Sequence, residues 1–90
     1  MNSEVILFTL NGCSHCVNLK KKLDEEKILF TEIEVTNNQN LWDKIVEQTG
    51  HNVLPTVFVK KQNTDVGPIF IPGKDFEEPD DLIPKLKKHL

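Results

Sequence analysis

The chain has 90 residues, of which 38% are apolar and 28% charged, and its formal net charge is −3. This composition is ordinary for a soluble globular protein, and we expect a single domain over residues 1–90. No segment approaches the roughly 20 apolar residues that a membrane span needs, so we expect no membrane association. The lysines are scattered among carboxylates rather than gathered in a stripe, which argues against nucleic acid as a partner.

The first predicted element is a strand over residues 5–10, because this run is apolar throughout, as in a strand buried on both faces. Asn11-Gly12 should end it. The next residues predict a helix, since Cys16, Leu19 and Leu23 recur at steps of three and four on one apolar face.

Residues 29–35 alternate apolar and polar side chains, which predicts a second strand with one covered face. A second helix should follow, with its N-cap among residues 36–38 and its end near Gly50. We expect Trp42 to pack on the sheet. The apolar side of this helix is predicted to consist of Leu41, Ile45 and Val46.

Residues 56–59 predict a third strand, and residues 69–71 predict a fourth that pairs with it as an antiparallel hairpin through a long connection over residues 60–68. The last helix is predicted to begin at Asp81, since this start places Pro84 in the first turn, where a missing N–H costs nothing. The alternation of strands and helices in the first half implies parallel pairing.

The motif Cys13-Ser14-His15-Cys16 lies where the first strand gives way to the first helix. Three residues of helix bring two Cα atoms to about 5 Å, a separation that a disulfide tolerates. Strand, CxxC and helix in this order are typical of a redox motif. A static disulfide or half of a zinc site are the alternatives, although His51 and His89 lack the spacing of a known zinc finger.

Cys13 is the predicted nucleophile, because amide donors and the positive end of the helix dipole favour its thiolate form. Cys16, one turn inward, is the predicted resolving thiol, which would attack a mixed disulfide formed on Cys13. His15 would add an imidazolium beside the thiolate, or it could simply point to solvent. The hydroxyl of Ser14 could donate to either sulfur.

The element order β-α-β-α-β-β-α with this motif resembles the thioredoxin fold, an α/β architecture with a four-stranded mixed sheet flanked by helices. The amino-acid sequence resembles the glutaredoxin family in three segments. These are Cys13–Cys16, residues 49–58, similar to the family's TG-x-x-T-V-P-x-x-F signature with a cis proline, and Ile71-Pro72-Gly73-Lys74-Asp75, similar to its I-G-G-x-D turn.

The resemblance implies an oxidoreductase that uses glutathione as co-substrate to reduce protein disulfides and protein–glutathione mixed disulfides. A cis Pro55 would turn the Leu54 backbone toward Cys13, where glutathione or an extended peptide could pair with it. The site residues expected at the other end of glutathione are Gly73, Lys74 and Asp75, although Lys74 could equally be a solvated turn residue.

The resemblance also implies a monomer without a tightly bound cofactor. An iron–sulfur cluster shared by two subunits is the alternative, since some glutaredoxins with Ser after the first cysteine hold one. The N-terminus lacks the basic flank and long apolar segment of a secretory signal, so we expect a cytoplasmic protein, in which a CxxC pair is reactive rather than structural.

Four residues depart from the family pattern, and Glu77-Glu78-Pro79 is inserted relative to it. Leu10 stands where glutaredoxins usually carry a basic residue, Val53-Leu54 replaces Thr-Val, and Pro72 replaces a glycine. These changes weaken the case for glutathione binding more than the case for the fold. They leave open a second function, that of a thioredoxin-like or ribonucleotide-reductase-dedicated redoxin recharged by a thioredoxin reductase.

Overall fold

The computed structural model describes residues 3–61 and 67–89. Its order of strands and helices is the one that the sequence predicts. The strands are β1 (Ser3–Thr9), β2 (Phe30–Glu34), β3 (Thr56–Lys61) and β4 (Ile69–Phe70). The α-helices are α1 (Ser14–Glu25), α2 (Gln39–Thr49) and α3 (Pro79–Lys87), and a 3-10 helix covers Val35–Asn37. In the described part of the chain, every helix is too short or too polar to cross a bilayer.

The four strands form one mixed sheet in the order β2-β1-β3-β4. Strand β1 pairs parallel with β2 and antiparallel with β3, and β3 pairs antiparallel with β4. The predicted hairpin is therefore confirmed, although part of its long connection, residues 62–66, lies outside the described residues. The central position of β1 explains its apolar sequence, because a strand with neighbours on both edges and helices on both faces meets little water.

Each face of the sheet carries its own core, because successive side chains of a strand point to opposite faces. Val5 and Leu7 of β1 face α1 and α3, in a core that also contains Leu19 and Leu82. Phe8 faces α2, where its ring lies 5.5 Å from the ring of Trp42. The prediction that Trp42 packs on the sheet is thus confirmed.

The predicted strand ends need correction at two leucines. Leu10 lies beyond the end of β1 and is 41% exposed, because the chain turns there and its carbonyl accepts the Cys13 N–H. Leu29 is 91% exposed and precedes β2, whose pairing with β1 begins at Phe30. Because both leucines are apolar, each was included in a predicted strand, although neither pairs with a neighbouring strand.

The second helix ends at Gly50, as predicted, with a left-handed φ of 74°. Asn38 occupies the N-cap position, but its side chain donates to the Glu34 carbonyl instead of capping the first turn. The prediction that Leu41 lies on the apolar side is wrong, since Leu41 is exposed while Trp42 and Ile45 are buried. A residue next to Trp42 is rotated by about 100° around the helix, away from the sheet.

The predicted start of the last helix at Asp81 is also wrong, because α3 begins at Pro79. Pro79 takes the first helical position, where a missing N–H costs nothing, and Asp81 accepts the Glu78 N–H at 3.2 Å. Pro84 therefore lies inside the helix and removes one hydrogen bond to the Asp80 carbonyl. Both residues are exposed, so water can replace that bond.

Candidate active site

The cysteine motif is placed by the turn that joins β1 to α1. Gly12 adopts a φ of 86°, and the Cys13 N–H donates to the Leu10 carbonyl at 3.1 Å, which closes the turn. Cys13 is the N-cap residue of α1, and its sulfur accepts the backbone N–H of Cys16 at 3.3 Å. The sulfur thus takes the place of the side-chain oxygen that normally caps a helix.

This capping position favours negative charge on the Cys13 sulfur. The amide donor of Cys16 points at it, and the unpaired N–H groups of the first helical turn add their partial positive charge. Both cysteines are free thiols, with Cys13 half-buried and Cys16 only 1% exposed. A substrate can therefore reach one sulfur but not the other.

The Cys16 side chain has the opposite environment. Burial raises the pKa of the Cys16 thiol from 9.0 to about 12, and a hydrogen bond with the Cys13 side chain adds to the rise. Charge on a buried group is costly unless it is paired, so Cys16 keeps its proton at neutral pH. The geometry thus separates a buried, protonated thiol from an accessible sulfur that accepts an amide N–H.

The two residues between the cysteines are both exposed. Ser14 is the first residue of α1. The Cys13 sulfur accepts its capping hydrogen bond from the Cys16 amide and not from the Ser14 hydroxyl. His15 lines a cavity of about 560 Å³ beside the motif. His15 is exposed and lies at the rim of this cavity, so its side chain can contact a molecule that enters the cavity.

This cavity, here called the groove, lies between the start of α1, the loop before β3 and the turn that joins β4 to α3. Its apolar wall includes Leu54, Pro55 and Phe76. Two carboxylates, those of Glu77 and Glu78, line the same cavity. Segments far apart in sequence thus form one surface next to His15.

The loop before β3 contributes the cis peptide bond Leu54-Pro55, as the motif predicts. Pro55 is buried and Leu54 is half-buried, and both line the groove. The buried hydroxyl of Thr56 donates to the Val53 carbonyl at 2.7 Å and fixes the loop. The predicted binding residues Leu54 and Pro55 therefore lie at the groove on a fixed piece of backbone.

The turn before α3 brings only one of its three predicted residues to the groove. Gly73 lines it with a φ of 85°, a conformation that L side chains rarely adopt. The Asp75 carboxylate instead accepts the Ile71 N–H at 2.8 Å and holds the turn together. Lys74 is exposed, and neither Lys74 nor Asp75 lines the cavity.

Four groove residues were not predicted from the sequence, namely Asn18, Phe76, Glu77 and Glu78. The insertion at residues 77–79, relative to the family pattern, is the one signal that could have found the two glutamates, since it directly follows a turn with a predicted role in binding. Over residues 3–61 and 67–89, no three His, Cys, Asp or Glu side chains are grouped to hold a metal ion.

Comparison with known proteins gives one consistent relationship. A family model described as glutaredoxin matches residues 5–63. Glutaredoxin 1 of Rickettsia felis is 34% identical over 65 residues, which are 70% of this chain and 62% of the relative. The chain thus spans about three fifths of the length of such curated relatives, 62% in this case.

Solved structures agree with the architecture. The solution structure of glutaredoxin from Brucella melitensis has a TM-score of 0.57 at 26% identity and covers 94% of this chain and 79% of that one. The crystal structure of a buckwheat glutaredoxin–glutathione complex has a TM-score of 0.60 at 16% identity, covering 97% and 71%, and shows likeness of fold alone. The expected thioredoxin fold is therefore confirmed.

The matched residues 5–63 include both the CxxC motif and the loop with the cis proline, which belong to two of the three segments that meet at the groove. Glutaredoxins are thiol–disulfide oxidoreductases. On the family match and the shared fold, the chain belongs to the glutaredoxin family.

Proposed function

We propose that this protein is a cytoplasmic, monomeric thiol–disulfide oxidoreductase that reduces protein disulfides and protein–glutathione mixed disulfides, with glutathione as its electron donor. One observation carries the proposal. The accessible Cys13 sulfur accepts an amide N–H at 3.3 Å at a helix N-terminus, while Cys16 is 1% exposed and keeps its proton. This is the division of roles that an attacking and a resolving thiol need.

In the first step, the Cys13 thiolate attacks one sulfur of the substrate disulfide. A new disulfide forms between Cys13 and that sulfur, the substrate S–S bond breaks, and the other substrate sulfur leaves as a thiolate. The Cys16 amide that donates to the Cys13 sulfur orients it and does not need to give up a proton. Because only a thiolate attacks a disulfide, the amide donor and the helix N-terminus, which favour charge on this sulfur, favour the step.

In the second step, Cys16 loses its proton to the departing thiolate or to water and attacks the Cys13 sulfur. The second substrate sulfur leaves as a thiolate, and a Cys13–Cys16 disulfide remains. Two electrons have then passed from the dithiol to the substrate. Because the pKa of Cys16 is about 12, removal of its proton should limit this step.

Two glutathione thiols would restore the dithiol, the first by forming a mixed disulfide on Cys13 and the second by releasing glutathione disulfide. Family membership supports this donor, and the buckwheat relative is crystallised with glutathione. The groove supports it as well, since the backbone at Leu54 and Gly73 borders the space beside the motif. Backbone groups of such a loop can pair with an extended peptide such as glutathione.

A coupled assay with glutathione, glutathione reductase and a peptide–glutathione mixed disulfide tests the proposal. The wild type should turn over, and Cys13→Ser should be inactive. The matched variant Cys16→Ser should retain removal of glutathione, since glutathione can attack the mixed disulfide on Cys13 directly. Activity of Cys13→Ser equal to the wild type would contradict the assignment of the nucleophile.

A second candidate is a redoxin recharged by a flavoprotein thioredoxin reductase, including one dedicated to ribonucleotide reductase. Leu10 and the two groove carboxylates, Glu77 and Glu78, favour it, because glutathione has more carboxylates than ammonium groups and meets no cation there. Turnover with thioredoxin reductase and none with glutathione would select this candidate.

A further inference from the structure

We propose that Glu77 and Glu78 determine the substrate preference of the groove, which accepts an extended polypeptide segment with Lys or Arg beside its disulfide cysteine over an acidic segment. This inference rests on the proposed oxidoreductase function and names its substrate class. It concerns residues of the insertion, which the family resemblance assigns no role.

The groove has a negative charge that its own residues do not neutralise. Its ionisable lining residues are Glu77, Glu78 and His15, and its lining includes no lysine or arginine. Both glutamates are exposed, so they keep contact with water and with any ligand that enters. One imidazole carries at most a single positive charge and cannot balance two carboxylates.

Lys74, the lysine nearest in sequence, does not line the groove, and two lysines of the helices packed nearby have other partners. Lys85 donates to the Asp75 carbonyl, and Lys22 pairs with Asp80 at 2.9 Å. Among the ion pairs of the described residues, none involves Glu77 or Glu78. Their field therefore extends into the groove over about a Debye length, roughly 8 Å at physiological salt.

The shape of the groove fits a polypeptide. Pro55 and Phe76 provide an apolar wall, and Leu54 lines the groove beside them. No hydrogen bond found among the described residues uses the Leu54 N–H or C=O. These two groups are available to pair with an added strand, as in peptide recognition by strand addition.

The surface around the nucleophile also suits a protein substrate. Leu10 and Val17 flank Cys13 through backbone hydrogen bonds, and they are 41% and 54% exposed. Val53, next to the cis peptide bond, is likewise exposed. Apolar side chains around the sulfur and carboxylates beyond it are complementary to a segment with apolar residues at its cysteine and a cation further along.

The test uses two disulfide-linked peptides that differ only in the residues beside the cysteine, lysines in one and glutamates in the other. Protein reduced in advance and freed of reductant is mixed with each, so that a single turnover is measured without any electron donor. The wild type should reduce the lysine peptide about fivefold faster, the effect expected of two exposed charge pairs. Raising the ionic strength should shrink this ratio.

The variant Glu77→Gln/Glu78→Gln should bring the ratio close to one, with the glutamate peptide reduced faster and the lysine peptide more slowly. Rates that change in opposite directions for the two peptides distinguish an effect of charge from a general loss of activity in the variant. Gln keeps the Glu78 N–H that Asp81 accepts at the start of α3, and its amide oxygen can still accept a hydrogen bond in the capping box there. The control Glu25→Gln/Glu47→Gln removes two exposed carboxylates outside the groove, and it should keep the wild-type ratio.

Each outcome decides the matter. Equal wild-type rates for the two peptides, or an unchanged ratio in the groove variant, would overturn the inference and leave the oxidoreductase function intact. If the groove variant does not fold, a salt-independent wild-type ratio overturns it in the same way. Failure of the wild type to reduce either peptide would overturn both.

Discussion

The reactivity of the buried thiol gives the sharpest test of the active site. The sequence contains two cysteines, so the variant Cys13→Ser leaves Cys16 as its only thiol. We expect this remaining thiol to be almost inert toward iodoacetamide in the folded protein, because only the thiolate reacts.

The size of the effect follows from the environment of Cys16. Its side chain is 1% exposed, and its pKa rises from 9.0 to about 12, with burial as the largest cause. Burial does not depend on residue 13, so most of the rise should persist in Cys13→Ser. A shift from 9.0 to about 12 lowers the thiolate population at neutral pH by about a thousandfold.

Alkylation is followed by mass spectrometry at neutral pH, in buffer and in urea. The rate for Cys13→Ser should rise by about a thousandfold in urea, where Cys16 becomes an ordinary exposed thiol. The matched variant Cys16→Ser keeps the half-buried Cys13, which should react readily in buffer. Equal rates for Cys13→Ser in buffer and in urea would refute the argument from burial.

Three further predictions concern stability, measured by urea unfolding. Leu82→Ala should cost about 3 kcal/mol, since Leu82 is fully buried, whereas Leu29→Ala, at a residue that is 91% exposed, should cost less than about 0.5 kcal/mol. Gly67→Ala should cost about 2 kcal/mol, because its Cβ would lie 1.9 Å from a β3 carbonyl oxygen. Lys20 donates to Glu32 at 2.9 Å and holds the pKa of that carboxyl below its usual 4.5. At a pH above the usual pKa of the carboxyl, this pair should stabilise the fold by about 0.5 kcal/mol. This contribution should be lost as the pH falls through the lowered pKa of Glu32 in the folded protein.

Each of these has its own check. Similar losses for Leu82→Ala and Leu29→Ala would contradict the assigned core. An unchanged urea midpoint for Gly67→Ala would show that the connection does not approach β3 as described. For the ion pair, Lys20→Met should flatten the pH dependence between pH 6 and 3, and a curve parallel to the wild type would exclude its contribution.

Much of the fold was predictable because local patterns and tertiary packing agree. The apolar run of β1, the spacing of Leu19 and Leu23 on α1 and the left-handed Gly50 at the end of α2 each have a local signal that the structure uses. Consistent local and global preferences of this kind are typical of natural sequences.

The predictions were wrong at positions where two residues satisfied the same local sequence pattern. Pro79 and Pro84 can each open a helix, and the start at Pro79 gives the longer helix, which buries Leu82 and Leu86. Leu41 fits an apolar helical pattern as well as Trp42 does, but only one of two adjacent residues can face the sheet.

The sequence by itself determined the fold class and placed two cysteines at the junction of a strand and a helix, because periodicity and the CxxC spacing are local properties of the chain. Only the tertiary structure decided that Cys16 is buried while Cys13 stays accessible and that Leu54, Gly73 and Glu77 meet at one groove. The physical reason is that burial and proximity depend on how elements distant in sequence pack together. The strand order and directions bring the loop before β3 and the turn before α3 to the end of the sheet where α1 begins.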